Sequence, residues 1–128
     1  MNPIEYVESV KERLSTDSIV IRFDVIREFA SLEEGFIRVR ANLTNGDILD
    51  FSEFVQWLDD LELTSYRYHW MDKDKHLIRR WDNAKHFPDL QNFPHHIHIS
   101  ETDVTSGKLV NIFDVLDEIA SAIHKLKR

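Results

Sequence analysis

Residues 36–51, FIRVRANLTNGDILDF, contain two runs of alternating apolar and polar residues joined by Asn45-Gly46. The apolar positions of the first run are Ile37, Val39, Ala41 and Leu43. A period of two predicts a β-strand with one buried face. Asn-Gly between two such runs is the strongest short signal for a tight β-hairpin. The stretch therefore predicts two adjacent antiparallel strands.

Similar patterns extend in both directions from this hairpin. Alternation begins at Ile19, and further strands are predicted at about 61–72, 76–82 and 95–100. Asn2-Pro3 with Glu5 predicts the capped start of a helix, and Asn111 with Asp114 predicts another. This order favours a single α+β domain over residues 1–128, with an antiparallel meander sheet of about five to six strands. We expect the N-terminal and C-terminal helices to pack on one face of the sheet.

Composition and charge narrow the class of protein. The chain has no cysteine, and its formal net charge is −7. Its first residues resemble no secretory signal, and no apolar run is long enough to cross a membrane, so we expect a soluble, cytoplasmic protein. The net charge disfavours indiscriminate nucleic-acid binding. Residues 66–98 nevertheless carry six bases against four acids and six of the seven histidines, so a phosphate site would have to be local.

Strand parity divides this histidine-rich stretch between the two faces of the sheet. The aromatic row is expected in the core and consists of Tyr66, Tyr68, Trp70 and Trp81. The polar row consists of Arg67, His69, Arg80, Asp82, His96 and His98, with Ile97 and Ile99 buried. From the first two strands, parity adds Arg22, Asp24, Glu28, Arg38 and Arg40 to the polar face. A two-residue turn at Lys73-Asp74 would place Arg67 opposite Arg80.

Three interpretations of the polar row remain open. Imidazoles can serve as acid and base, and guanidinium groups can stabilise a phosphorane, so the row fits metal-independent RNA cleavage. A solvated sheet face with cross-strand ion pairs fits the same pattern. His95-His96-x-His98 could also hold a metal with His86, His69 or Asp82 as a further ligand. Of these roles for His95, His96 and His98, we prefer a loop that positions the imidazoles to a metal site. We expect no cofactor.

Three motifs resemble a known family. They are Tyr66-x-Tyr68-His69-Trp70-x-Asp72, Leu77-Ile78-x-Arg80-Trp81-Asp82-Asn83-Ala84, and Asn92-Phe93-Pro94-His95-His96-x-His98. Together they resemble the TumE-type toxin family of toxin–antitoxin modules. Two positions depart from that pattern: Lys75 stands where the family usually has glycine, and Phe87 where it commonly has a second adjacent histidine.

The resemblance implies a growth-inhibiting toxin neutralised by a helix-turn-helix antitoxin. From the side chains we infer an endoribonuclease acting on RNA. Its predicted catalytic residues are His69, His96, His98, Arg67 and Arg80. Its predicted substrate-binding residues are Tyr68, Arg38, Arg40, Asp82, His95 and His86. The alternative is a non-catalytic binding module whose polar sheet face docks a protein partner or a nucleic acid.

Overall fold

The computed structural model describes residues 1–126 and has two helices and seven strands. The order is α1 (Pro3–Thr16), β1 (Val20–Ala30), β2 (Glu34–Leu43), β3 (Ile48–Trp57), β4 (Leu61–Met71), β5 (Leu77–Asp82), β6 (His96–His98), β7 (Val104–Ser106) and α2 (Ile112–Leu126). Consecutive strands pair antiparallel throughout, so the sheet is a meander. The α+β class is confirmed, with seven strands rather than five or six.

Both helices begin at the predicted residues. In α1 the amide of Glu5 donates to Asn2 Oδ1 at 2.8 Å, and the amide of Asn2 donates to Glu5 Oε1 at 3.1 Å. Asn111 and Asp114 make the same reciprocal pair before α2. These bonds satisfy amides that have no partner within the helix.

The helices cover one face of the sheet and form the core with it. From α1 the core receives Tyr6, Val7, Val10 and Leu14, and from α2 it receives Ile112, Val115, Leu116, Ile119 and Ile123. The aromatic row Tyr66, Tyr68, Trp70 and Trp81 lies buried against them, as predicted. The polar row is therefore on the face that the helices leave uncovered.

A buried carboxyl group joins α2 to the sheet. Glu53 is 1% exposed on the helix side of β3. Its Oε2 accepts hydrogen bonds from the Tyr68 hydroxyl at 2.6 Å and from the Ile112 amide at 2.9 Å. The Tyr6 hydroxyl donates to Oε1 at 3.0 Å. This single side chain thus connects α1, β4 and the first turn of α2.

Strand β1 breaks the predicted alternation because it contains two register shifts, one after Val20 and one after Val25. A bulge adds one residue to a strand and reverses the facing of those beyond it. Ile21, expected in the core, is 64% exposed. Glu28, expected on the polar face, pairs with Ile37 and bonds to Lys11 of α1. Ile21 is the extra residue of the first bulge and Glu28 lies beyond the second, so both expectations were wrong.

The turn between β4 and β5 is one residue longer than predicted. Lys75 has φ 67°, and the Asp72 amide donates to the His76 carbonyl across the turn at 2.9 Å. A three-residue loop ending in a left-handed residue is a common hairpin connection. Together with a bulge between Trp70 and Met71, it shifts the register by two residues.

The register therefore places His69 opposite Arg80 and Arg67 opposite Asp82. The predicted pairing of Arg67 with Arg80 was wrong. Because the shift beyond the bulge is an even number of residues, Arg67, His69, Arg80 and Asp82 keep their predicted face. Ile78, expected opposite His69 on the polar face, lies at the bulge and packs against the core, so that expectation was wrong.

The last part of the sheet also differs in detail. Ile97 packs against the core, but Ile99 lies beyond the end of β6 and is 47% exposed, so its predicted burial was wrong. Strand β7 was not predicted at all. Among the described residues, no helix is both long and apolar enough to cross a membrane.

Candidate functional site

The uncovered face of the sheet carries two parallel rows of polar side chains across β2 to β6. Successive cross-strand partners in the first row are Arg40, Asp50, His69, Arg80 and His98. Those in the second row are Arg38, Ser52, Arg67, Asp82 and His96. We call these ten residues the polar rows. The sheet itself thus brings the predicted arginines and three of the predicted histidines onto one surface.

Asp50 holds two arginines at one end of the rows. Arg40 Nη2 donates to Asp50 Oδ2 at 2.9 Å, and Arg38 Nη2 donates to the same oxygen at 3.2 Å. Burial disfavours the Asp50 carboxylate, but the hydrogen bonds from the two guanidinium groups outweigh it and lower its pKa. Both arginines remain about half exposed, so they still present positive charge to solvent.

Asp82 is the centre of the other end of the rows. Its Oδ2 accepts from Arg80 Nε at 3.2 Å and lies 3.6 Å from His98 Nε2. Its Oδ1 accepts from the Ala84 amide at 3.0 Å and lies 2.8 Å from His96 Nε2. The carboxylate is buried at the end of β5, where it bonds to Arg80 and lies beside the rings of His96 and His98.

His96 is enclosed although it stands in the polar row. Its side chain is 2% exposed. Its Nδ1 lies 2.9 Å from the Pro94 carbonyl oxygen, and the Phe87 ring packs edge-on to the imidazole at 4.9 Å between centroids. The loop between β5 and β6 therefore folds back over this end of the rows. His96 cannot contact a large substrate in this conformation, which removes it from the predicted catalytic set.

His69 and His98 are the partly exposed imidazoles of the rows, one on each side of Arg80, and the His98 side chain is 14% exposed. Arg67 Nη2 lies 3.3 Å from His69 Nδ1, and Arg80 Nη2 lies 2.9 Å from His98 Nε2. Desolvation and then the charges of the neighbouring arginines lower the pKa of His69. Desolvation and Arg80 also lower the pKa of His98, against the opposing charge of Asp82. An imidazole that faces a guanidinium donor accepts the hydrogen bond through its bare nitrogen.

A groove of about 530 Å³ adjoins this part of the rows. Arg67, Arg80 and Asp82 form part of its lining, and Lys85 and His86 of the β5–β6 loop form another part. His86, a predicted substrate-binding residue, is exposed there. The volume lies within the range of small-ligand pockets, and the lining includes three basic side chains besides Arg80, namely Arg67, Lys85 and His86.

Two predicted substrate-binding residues lie elsewhere. Tyr68 is 0% exposed on the helix side, where its hydroxyl bonds to Glu53. His95 stacks on the Tyr66 ring, and its Nδ1 is 2.7 Å from the Tyr66 hydroxyl oxygen. Successive residues of a strand face opposite sides, so His95 points away from the face that carries His96. We therefore remove Tyr68 and His95 from the candidate site.

Asp50 and Phe87 belong to the site but were not predicted. Asp50 stands between Ile48 and Ser52 in an alternating run, so its parity could have placed it on the polar face. Phe87 lies in an irregular loop, and its ring is 5.9 Å from that of His98. No periodic pattern covers such a loop, so the sequence held no signal for this contact.

Comparison with known protein families gives the same family as the sequence motifs in the strands of the site. A family model described as Toxin TumE matches residues 10–126, which include both polar rows and the loop that covers His96. A search of curated proteins and a search of solved structures each found no match. The family match spans nearly the whole described chain. The chain therefore belongs to the TumE toxin family.

Proposed function

We propose that this toxin is a metal-independent endoribonuclease whose active site is the part of the polar rows around Arg80. The observation that carries the proposal is the arrangement of His69, Arg80 and His98 side by side on β4, β5 and β6. Cleavage of RNA by acid–base catalysis needs two proton-transfer groups beside a cation that binds the phosphoryl oxygens. Two partly exposed imidazoles flanking a guanidinium support that chemistry.

The proposed reaction is an internal transfer at one phosphodiester. His69 takes the proton of the 2′-hydroxyl, the 2′-oxygen forms a bond to phosphorus, and the bond from phosphorus to the 5′-oxygen breaks. His98 gives a proton to the leaving 5′-oxygen. Desolvation and Arg80 lower the pKa of His98, and the anionic phosphate beside the leaving oxygen opposes that shift and favours the protonated ring that the acid requires. The products are a 2′,3′-cyclic phosphate and a free 5′-hydroxyl.

The arginines couple substrate binding to this chemistry. Arg67 and Arg80 now donate to the bare nitrogens of His69 and His98. A phosphate is a stronger acceptor for a guanidinium than a neutral imidazole is. When both arginines turn to the phosphate, the two imidazole nitrogens become free for proton transfer. The lowered pKa of His69 supports its role as base, because the ring is then neutral at neutral pH.

The surroundings of Arg80 favour a polyanion as substrate. Arg38 and Arg40 extend the cationic surface on one side, and the groove with Lys85 and His86 extends it on the other. Charges along both sides allow contacts with phosphates beyond the scissile one. Flanking nucleotides would lie in the groove of about 530 Å³.

Membership of a toxin family implies an antitoxin partner. We propose that the partner is a helix-turn-helix protein and that it neutralises the toxin in the same cell. This expectation comes from the family resemblance and is independent of the chemistry at Arg80. Purification of the toxin with the product of an adjacent small helix-turn-helix reading frame would test it.

RNA cleavage by the purified toxin in excess chelator tests the catalytic proposal. The wild-type protein should cleave single-stranded RNA, and His69→Ala should be slower by about 100-fold or more, the usual loss of a general base. His76→Ala is the matched control, because His76 is exposed in the β4–β5 turn outside the polar rows. Growth inhibition on induced expression should follow the same order.

Three outcomes would overturn the proposal. The first is saturable RNA binding without cleavage by the wild-type protein, which would identify a binding module. The second is equal cleavage by wild type and His69→Ala. The third is cleavage that disappears with chelator and returns with added metal.

A further inference from the structure

One nitrogen of His96 has no hydrogen-bond partner. Among the buried side-chain nitrogen and oxygen atoms of residues 1–126, Nε2 of His96 is the one without a hydrogen-bond partner. The opposite ring nitrogen faces the Pro94 carbonyl at 2.9 Å and must carry a proton to bond with it. In a neutral ring this leaves Nε2 as a bare lone pair in a site that is closed to water. Such a buried group calls for an explanation, and a bound ion is one.

The surroundings of this lone pair match a metal site. His96 Nε2 lies 2.8 Å from Asp82 Oδ1, although the geometry between the two atoms is not that of a hydrogen bond. His98 Nε2 lies 3.6 Å from Asp82 Oδ2, and one donor atom from each of these residues falls within 4.8 Å of the others. Two ligands each about 2.1 Å from a tetrahedral zinc ion are about 3.4 Å apart, so the His98 separation fits and the His96 separation has to widen by about 0.6 Å. Ligands of one ion point at a common centre and not at each other.

We propose that Asp82, His96 and His98 form a binding site for a divalent transition metal such as Zn²⁺. Two imidazoles and one carboxylate are a common protein ligand set for such ions and leave further coordination positions open. The Pro94 carbonyl supports the site, because a ligating histidine usually donates its other ring N–H to a carbonyl or carboxylate. Phe87 closes the apolar side of the site.

Arg80 competes with the metal for the same atoms. Its Nη2 occupies the lone pair of His98, and its Nε bonds to Asp82 Oδ2. A metal at the site requires the guanidinium to turn outward, which its 29% exposed side chain allows. Metal binding and the Arg80–His98 contact are therefore mutually exclusive.

This exclusion gives the metal a regulatory effect, and that effect rests on the proposed ribonuclease function. A metal on His98 removes the imidazole that protonates the leaving oxygen and fixes Arg80 away from it. One equivalent of Zn²⁺ should then inhibit RNA cleavage. The binding site itself does not depend on the protein being a ribonuclease.

Titration of the chelator-treated full-length protein with Co²⁺ tests the site directly. One equivalent should bind, produce visible d–d absorption and be displaced by Zn²⁺. His98→Ala and His96→Ala should each weaken binding by at least about tenfold, the lower end of losses seen even for second-shell partners. Arg80→Ala should bind more tightly, because it removes the competing cation. His76→Ala should bind as wild type does, which controls for the exposed cluster Asp72, Asp74 and His76.

Two results would overturn the proposal of a metal site. One is no saturable binding of Co²⁺ or Zn²⁺ by the wild-type protein. The other is equal affinity in wild type and His98→Ala, a variant that remains informative if His96→Ala does not fold. Intact Co²⁺ binding with no RNA cleavage in chelator would instead overturn the proposed function and leave the metal site standing.

Discussion

Arg80 and His98 are direct cross-strand partners, and Arg80 Nη2 lies 2.9 Å from His98 Nε2. The same guanidinium bonds through Nε to Asp82 at 3.2 Å. A single side chain therefore links an accessible imidazole to a buried carboxylate. This link makes Arg80 the central residue of the proposed site.

Lysine at position 80 should not reproduce the function of Arg80. The two bonds come from different nitrogens of one planar group, and a lysine ammonium cannot reproduce that fork. We expect Arg80→Lys to lower the rate of RNA cleavage by at least about tenfold, since loss of one preorganised donor commonly costs more. Arg79→Lys is the control, because Arg79 bonds to Glu118 of α2 on the other face. Equal rates for Arg80→Lys and wild type would contradict the role of the fork.

Arg40 should contribute to RNA affinity through phosphate contact. In a His69→Ala background, where cleavage is slowed, Arg40→Ala should weaken binding of single-stranded RNA. The slope of log affinity against log salt should fall by about 0.7, the value for one phosphate contact on a single strand. Arg79→Ala in the same background should leave the slope unchanged. A slope that changes equally in both variants would mean that only net charge matters.

Glu53 should make stability depend on pH. Burial raises its pKa, although hydrogen bonds from Tyr68, from the Ile112 amide and from Tyr6 oppose the shift. The folded state thus holds the proton more tightly than the unfolded state does. Its contribution to stability is greatest below the unfolded pKa and is lost as pH rises through the folded pKa.

Glu53→Gln tests this sign, because its amide stays neutral at every pH. In urea unfolding from pH 4 to pH 8, the free energy of unfolding of wild type should fall relative to that of Glu53→Gln. Glu62→Gln, at an exposed position of β4, should show no such divergence. A constant difference between wild type and Glu53→Gln across the range would refute the prediction.

Lys75→Gly should stabilise the protein. Lys75 has φ 67°, a left-handed conformation that costs an L-residue roughly 1–2 kcal/mol and costs glycine little. Glycine loses more backbone entropy on folding, about 0.5–1 kcal/mol, so the net gain should be about 0.5–1 kcal/mol. Urea denaturation measures it. Lys73→Gly in the same turn should stabilise less or destabilise, and a loss of stability in Lys75→Gly would contradict the argument.

Side-chain facing could be predicted wherever the strands are regular. Arg67, His69 and Arg80 lie on the expected face because a period of two survives even a register error of two residues. The prediction failed in β1, where one bulge contains Ile21 and a second reverses the facing of Glu28. Bulges depend on local backbone geometry, and alternation alone does not reveal them.

The enclosure of His96 could not be predicted from strand parity. Parity correctly placed the residue on the polar face, but exposure depends on what covers that face. The covering group is Phe87, from a loop without periodicity, and the tautomer of His96 depends on the Pro94 carbonyl. Contacts from loops are set by tertiary packing, so neither feature has a counterpart in the sequence pattern.

The chemistry of the cleaved ends tests the central claim most directly. Single-stranded RNA incubated with purified, chelator-treated toxin should yield fragments ending in 2′,3′-cyclic phosphate and beginning with a 5′-hydroxyl. His69→Ala and Arg80→Ala should yield few such ends, and His76→Ala should match the wild type. Intact RNA after incubation with active toxin, or fragments bearing 5′-phosphate and 3′-hydroxyl ends, would contradict the account.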